Sequence, residues 1–462
     1  MDGMGQRWAE EEFGHAVLGD RRRNARLIKV AAACLQRHGG TVTRVMDDAA
    51  DREGAFRLLE NQRVAPFRFA RSSHEATVRR CASSPYVFVA VDQSSVTITD
   101  YRRRKGFGVA GDGHGTKLRA VEVMSALAID PTGTPLGLTA QRWRRRADER
   151  APHGKRDPRH EQDRESYLWI EAIASTLERF EEADSIVRPW FQLDRGGDYW
   201  RVFELAEQTE SWVTVRSCYP RRLWPDEASV HDLIRAAPIR GQLSVTIPAR
   251  RNVRAPNRPK RKAIIDLQYE PVTLDMVDHT GTYRQVDVYV VRVNERTRRR
   301  DGLEWILLTT YPVQNAEDAA LVVRGYMLRW RVEDFHHTWK SGACDIERSQ
   351  LRTARNFCRW ATIQAAVAAR IETLKHLSRE TPDIDATAHL SQAEIDAAII
   401  LSKTNKHQPG DLLTLQQAVW LIASVGGYTG KSSGGPPGTI TIRRGLDRVT
   451  AAAVAIEHLR SG

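Results

Sequence analysis

The chain has 462 residues, of which 70 are Lys or Arg and 58 are Asp or Glu, a formal net charge of +12. Hydrophobic residues make up 41%, enough for a large core, which excludes wholesale disorder. No run of about 18 apolar residues occurs, which excludes a transmembrane helix, and the basic excess suits nucleic acid without requiring it.

The N-terminal stretch MDGMGQRWAEEEFGHAVLGD is acidic and polar, so no secretory signal is expected there. Residues 7 to about 80 read as helical. In RLIKVAAACLQRH the apolar residues recur at helical spacing and leave the basic residues on the other face. Arg21, Arg22, Arg23, Arg26 and Lys29 form a basic cluster on this unit, a candidate DNA-contacting surface with a plain helical bundle as the alternative. The run YVFVAV, Tyr86 to Val91, is β-branched and aromatic and predicts a strand buried on both faces that ends at Asp92. Two more strands are expected at 121–129 and 134–141, joined by a turn at Pro131-Thr132-Gly133. A second basic cluster, Arg142, Arg144, Arg145, Arg146 and Arg150, surrounds Trp143.

YLWIEAIASTLERFEEA then reads as an amphipathic helix, RPWFQLD as a strand ending at Asp194, DYWRVFELAEQ as a helix and SWVTVRS as a strand. Together these predict a mixed α/β core. Residues from about 219 to 312 are mostly β in character, in LSVTIPA, AIIDLQYEPVTL, QVDVYVVRV and EWILLTT, and read as an insertion before the next helix. Within them Arg250 to Lys262 is basic and carries Pro256 and Pro259, just after Pro248, so it reads as a loop or hairpin tip. Residues 316–340, about 352–377 and most of the remainder read as helical, apart from the Gly-, Ser- and Pro-rich loop Gly426 to Gly438. The cysteines Cys34, Cys81, Cys218, Cys344 and Cys358 form no CxxC pair, so neither a disulfide framework nor a structural zinc site is expected; Cys34 and Cys358 read as core or surface fillers.

Asp92 and Asp194 fall at strand ends, where open α/β sheets place their sites, although such an Asp taken alone is more often a turn or capping residue. The segment YMLRWRVEDFHHTWKSG is more specific. On a helix, Tyr326, Arg329, Glu333, His337 and Lys340 fall within a wedge of roughly 80°. That face holds an aromatic ring, two cations, a carboxylate and an imidazole, where an ordinary amphipathic helix places aliphatic residues. Three carboxylates from distant segments suit a divalent metal, because Mg²⁺ prefers hard oxygen ligands. The cations suit phosphate, and Tyr326 and Trp305 suit stacking on bases. Asp198 is read as the N-cap of the next helix, and His336 as a packing or surface residue.

Tyr326, Arg329, Glu333 and Lys340 follow Y-(2)-R-(3)-E-(6)-K at every spacing. This resembles the signature of bacterial DDE transposases of the insertion-sequence-four family, particularly the Tn-five type. The likeness covers nearly the whole chain. WAEEEFGHAVLGDRRRNARL is similar to that group's end-binding domain, and Asp194 opens Asp-Arg-Gly-Gly-Asp, similar to the family's Asp-Arg-x-x-Asp. Trp305 stands where the family has a tryptophan that stacks on a flipped base. Gly196 and Gly197, Gln93 and His337 depart from the residues common there; a second lysine occurs at the last position.

The resemblance implies an α/β fold with a ribonuclease H-like catalytic core (81–375) bearing a β-rich insertion (about 219–312). A helical DNA-binding domain (1–80) and a helical dimerisation domain (376–462) flank it. Asp92, Asp194 and Glu333 would bind two Mg²⁺ ions, with Mn²⁺ as a substitute. Tyr326, Arg329, Lys340 and His337 would contact DNA near the cleaved phosphate, Trp305 would hold the extruded base, and Arg22, Arg23 and Arg26 would contact the transposon end. The implied reaction is cut-and-paste transposition by strand cleavage, hairpin formation and strand transfer. The implied partners are double-stranded terminal repeats, target DNA and a second copy in a synaptic homodimer, with no membrane. The implied setting is the bacterial cytoplasm, at the nucleoid. A stand-alone metal-dependent nuclease and a catalytically inactive DNA-binding regulator are the alternative readings.

Overall fold

The computed structural model describes residues 4–37, 39–100, 104–110, 118–146, 166–226, 228–247, 250–252, 255–278, 280–297, 302–431 and 435–461. Arg150 and Pro248, named above, and Arg254, within the basic run Arg250 to Lys262, lie outside these residues.

The N-terminal unit is helical, as expected: α1 (Met4–Phe13), α2 (Arg21–Gln36), α3 (Val42–Val45), α4 (Ala49–Glu60) and α5 (Phe67–Cys81). Asp20 caps α2 by accepting the Arg22 backbone N–H, and Leu27, Val30, Ala31, Cys34 and Leu35 form its buried stripe. The sheet then begins with β1 (Tyr86–Ile98), β2 (Gly108–Val109), β3 (Arg119–Ile129) and β4 (Pro135–Arg144). After α6 (Tyr167–Glu182) come β5 (Arg188–Leu193), α7 (Trp200–Gln208) and β6 (Trp212–Arg216). Then follow β7 (Arg222–Leu223), α8 (Val230–Ala236), β8 (Gly241–Ile247), β9 (Arg250–Asn252), β10 (Ala255–Arg258), β11 (Arg261–Val277), β12 (Tyr283–Glu295) and β13 (Glu304–Thr309). The remaining helices are α9 (Ala316–Leu328), α10 (Trp330–Lys340), α11 (Ala354–Glu380), α12 (Gln392–Ser402), α13 (Leu415–Val425) and α14 (Thr439–Ser461).

Eleven strands form one sheet in the order β2-β3-β1-β5-β6-β13-β12-β11-β7, with β4 also on β3 and β8 on β11. β1 is antiparallel to β3 and parallel to β5, and β5 is parallel to β6. β1 is buried on both faces for much of its length. Phe88 and Ala90 join the core cluster that includes Val322, Val332, Phe335 and Trp339 from α9 and α10. Val87, Val89 and Val91 join the opposite cluster with Leu168, Ile173 and Phe203 from α6 and α7. Helices on both faces explain why these strands read as unbroken apolar runs.

One expectation needs correction. β1 does not end at Asp92; it continues to Ile98, paired to β3 as far as Ile98↔Arg119. Its polar second half is stabilised by the ladder to β3 rather than by burial on both faces. The β-rich stretch joins the core sheet, where β13 pairs antiparallel with β6 (Leu308↔Val215). Within it, β9 and β10 form the expected hairpin, and α8 is an unexpected helix that buries Val230 and Ile234. Pro271 sits inside β11 without breaking it, because β8 stops pairing at Leu267 and β7 begins at Leu274, leaving its outer edge unpaired there.

The C-terminal helices pack around a third cluster, including Leu374, Ile395, Leu415, Ile422 and Val449. Among the described residues no helix is long and apolar enough to cross a membrane.

Candidate active site

β1 and β5 pair in parallel from Tyr86↔Arg188 to Ala90↔Gln192. Continued by two residues, that register sets Asp92 level with Asp194. Adjacent strands lie about 4.8 Å apart, so the two residues are neighbours across the sheet. Asp194 immediately follows β5 and accepts the Gly196 backbone N–H at 2.7 Å, which caps the 3₁₀ turn Arg195–Gly197. The β5–β6 register likewise sets Arg216, the last residue of β6, level with Asp194.

The third acidic residue arrives on the helices that cross this face. α9 starts at a capping box formed by Asn315 and Asp318. It lies against the strands because residue 325 is glycine: a Cβ there would come within 2.5 Å of the Phe88 ring and 3.1 Å of Gln192 Nε2. Tyr326 follows directly, buried, with its ring edge-on to Trp305 at 5.1 Å between centroids.

The single helix expected over 316–340 is broken at Arg329, which separates α9 from α10. Arg329 keeps helical torsions, φ −52 and ψ −32. However, the Arg329 N–H donates to the Tyr326 carbonyl and the Val332 N–H to the Arg329 carbonyl, both at 3.2 Å and both spanning three residues rather than four. As a result Glu333 lies in the first turn of α10, where the helix N-terminus favours a carboxylate.

Arg329 joins the acids. Its Nη1 lies 3.2 Å from Asp92 Oδ1 and its Nη2 2.6 Å from Glu333 Oε1, with the arginine side chain 7% exposed. Burial, opposed by Arg329 and reinforced by Asp92 and Asp194, holds the Glu333 carboxyl above the ordinary range. Burial raises the Tyr326 hydroxyl too; Arg329 and Arg216 oppose this and Asp194 adds to it. Asp194 is therefore within electrostatic reach of both. Lys340 Nζ lies 3.3 Å from Ser94 Oγ and 3.9 Å from Glu347 Oε1. His337 is exposed.

Asp92, Arg329 and Glu333 are thus in contact, Asp194 is beside them, and Tyr326, Trp305 and Lys340 border them. Arg22, Arg23 and Arg26 belong to α2. There Arg22 is exposed, Arg23 Nη1 donates to the Leu18 carbonyl at 3.0 Å, and Arg26 pairs with Asp51 at 2.9 Å.

Asp198 differs from its reading, and His336 takes the packing place among those it was given. Asp198 does not cap α7, whose N-cap is Tyr199. It is buried, and accepts the Cys218 backbone N–H at 2.7 Å and the Arg221 guanidinium at 2.7 and 2.9 Å. It thereby ties the turn after Asp194 to the chain after β6. His336 is buried beside the site, its Nδ1 3.6 Å from Asp92 Oδ2. Its place one turn beyond Glu333 was the only signal. Arg216 gave none, because its level with Asp194 depends on strand pairing.

Among the described residues no group of three or more His, Cys, Asp or Glu side chains stands close enough together to hold an ion. The donors still suit a hard divalent cation: two carboxylates already share one cationic partner, and the third acts on Glu333.

Strands in the order β4-β3-β1-β5-β6, with acidic residues level on two parallel neighbours and a carboxylate helix laid across them, define a ribonuclease H-like core. Residues 134–369 match the family described as transposase DDE domain, residues 5–64 that described as transposase DNA-binding, and residues 366–461 that described as transposase Tn5 dimerisation domain. The chain belongs to the DDE transposases, of the Tn5 type, and insertion-sequence-four membership is consistent with this. It is a DNA-cleaving and strand-transferring enzyme that depends on a divalent metal, with regions for DNA binding and dimer formation.

Proposed function

We propose that Asp92, Asp194 and Glu333 hold two Mg²⁺ ions, replaceable by Mn²⁺, and that the enzyme carries out cut-and-paste transposition at terminal repeats. The observation that carries this reading is the β1–β5 register, which levels Asp92 with Asp194, together with the guanidinium link from Asp92 to Glu333. The bound metal supplies activation of the attacking oxygen and charge neutralisation at the leaving oxygen. Arg329 and Lys340 bind the phosphates that flank the scissile bond, with exposed His337 at the outer edge of the same helix. The Tyr326 and Trp305 rings meet edge to face, and Trp305 would hold an extruded base; stacking offsets part of the unpairing cost when a hairpin forms.

Residues 1–80 would recognise the end, with Arg22, Arg23 and Arg26 on α2. Residues 81–375 would carry the chemistry, with an insertion at about 219–312, and residues 376–462 would join two protomers in the synaptic complex. Cleavage, hairpin formation, reopening and strand transfer are all in-line displacements at one site. The reaction would take place in the cytoplasm, at the nucleoid, on terminal repeats and target DNA.

The test incubates DNA carrying the repeats that flank this gene with purified protein and Mg²⁺, using Glu333→Ala as control, and resolves the products on a denaturing gel. Hairpin-ended fragments from the wild type alone are expected. Simple nicks or breaks would indicate a stand-alone nuclease, and binding without cleavage, with Mn²⁺ also tried, a regulator.

A further inference from the structure

We propose that Arg329 is an internal counter-ion that occupies the carboxylate pair until a DNA phosphate draws it away, so that metal binding and DNA binding are coupled. The inference rests on the assignment of Asp92 and Glu333 as metal ligands made above.

Asp92 comes from β1 and Glu333 from α10, and one guanidinium reaches both, from opposite Nη atoms. Carboxylates brought this close repel each other unless a cation lies between them. Arginine is the side chain suited to that place, because it stays charged and presents its donors in a planar fork. Asp92 and Glu333, the residues it joins, are also those that would hold a metal ion. An ion and the guanidinium therefore compete for the same charge.

Two features mark this placement as one of two. Arg329 Nε is buried and completes no hydrogen bond among the described residues, while the guanidinium acts on the Tyr326 hydroxyl both as a charge and as a hydrogen-bond donor. A buried donor without an acceptor is costly, so the present arrangement leaves part of the guanidinium unsatisfied. A phosphate offers several acceptors and bidentate geometry. The group also has a way out: it lies 5.5 Å from the ring of Trp330, which is 57% exposed. Lys340 is held by Ser94 and Glu347, and His336 lies on the other oxygen of Asp92. Arg329 is thus the cation that joins Asp92 to Glu333.

The consequence is thermodynamic. If phosphate takes the guanidinium, the carboxylates regain the charge that attracts a metal, and linkage requires the bound metal to favour DNA by the same factor. The free protein then binds metal weakly, and its full charge set assembles only on DNA.

The test measures Mn²⁺ affinity of the full-length chain without DNA, from the electron paramagnetic resonance signal of free Mn²⁺. Arg329→Gln is expected to bind Mn²⁺ on the order of tenfold more tightly than wild type, since a unit positive charge has been removed from contact with the ligands. Arg329→Lys keeps the charge and is expected to stay close to wild type, so the gain tracks charge and not packing. Unchanged or weaker Mn²⁺ binding by Arg329→Gln, with binding lost in Asp92→Asn, overturns the counter-ion role and leaves the site assignment standing. Wild-type affinity in Asp92→Asn overturns the assignment, and the inference with it. Should Arg329→Gln fail to fold by circular dichroism, the wild type decides alone: Mn²⁺ affinity must rise when end DNA is added, and no rise overturns the coupling.

Discussion

Glu333 sits where a helix N-terminus favours a carboxylate, yet its carboxyl is held above the ordinary range because burial, Asp92 and Asp194 all oppose its charge. A cation held by Asp92, Asp194 and Glu333, as proposed, would relieve all three acids at once, so each should be indispensable to chemistry and dispensable to DNA recognition. Asp92→Ala, Asp194→Ala and Glu333→Ala are each expected to lower cleavage by roughly a thousandfold or more, since the lost term is worth several kcal/mol. Gel-shift affinity for end DNA should be retained. Residual cleavage in all three variants would remove the assignment. Trp305 plays a different part. Its ring meets that of Tyr326 edge to face, and the role proposed for it is to hold an extruded base. Trp305→Ala should therefore slow hairpin formation more than first-strand nicking, and time courses that separate the two products check it; equal loss of both refutes the base-holding role.

At the scale of elements, the position of α9 depends on residue 325. A methyl group there would press on Phe88 at 2.5 Å and on Gln192 at 3.1 Å, and both neighbours are buried in the sheet. Gly325→Ala should cost about 1–3 kcal/mol, the usual range for overpacking, and should displace Tyr326 and Arg329 from the strand ends. A lower melting temperature, partly restored by Phe88→Leu in the same chain, is the expected result. A melt unchanged from wild type would mean that another contact sets the helix. This dependence was not legible in the sequence, where Gly325 is one glycine inside an apolar helix. What was legible followed from local patterning. The apolar runs at Tyr86–Val91 and Arg188–Leu193 are readable because helices cover both faces of those strands. The second half of β1 was missed because its stability lies in the ladder to β3. The continuation of the sheet through β13, the level of Arg216 with Asp194 and the approach of His336 to Asp92 are all non-local. The break at Arg329 was hidden because every residue around it is compatible with a continuous helix.

At the scale of the molecule, the N-terminal unit is held to the catalytic core by donors along α11. Arg355 donates to the Gln62 carbonyl, Arg359 to those of Leu59 and Val64, Trp360 to that of Gly40 and Gln364 to that of Gly39. His74 of α5 lies at the same junction, buried in a cavity wall shared by α1, α5, β4 and α11. Burial, with Arg179 and Arg142 adding, depresses its imidazole from 6.5 to about 3. His376 on α11 is depressed to about 4, mainly by burial. The sign follows from proton counting. Above pH 6.5 both residues are neutral in the folded and unfolded chains, and they contribute no pH dependence. Below pH 6.5 the unfolded chain takes up their protons while the folded chain does not, so stability falls with pH until the folded values are reached. Each residue contributes at most about 1.4 kcal/mol per pH unit in that window. Glu333, with its raised carboxyl, acts in the opposite sense near the carboxylate range, so the wild-type curve alone mixes the two signs. The difference between wild type and His74→Gln isolates the imidazole. Urea midpoints measured from pH 7 to pH 4.5 should show the variant gaining on the wild type as the pH falls through 6. A difference that stays constant over that range would mean that His74 titrates alike in both states, and that the junction between the N-terminal unit and the core admits water.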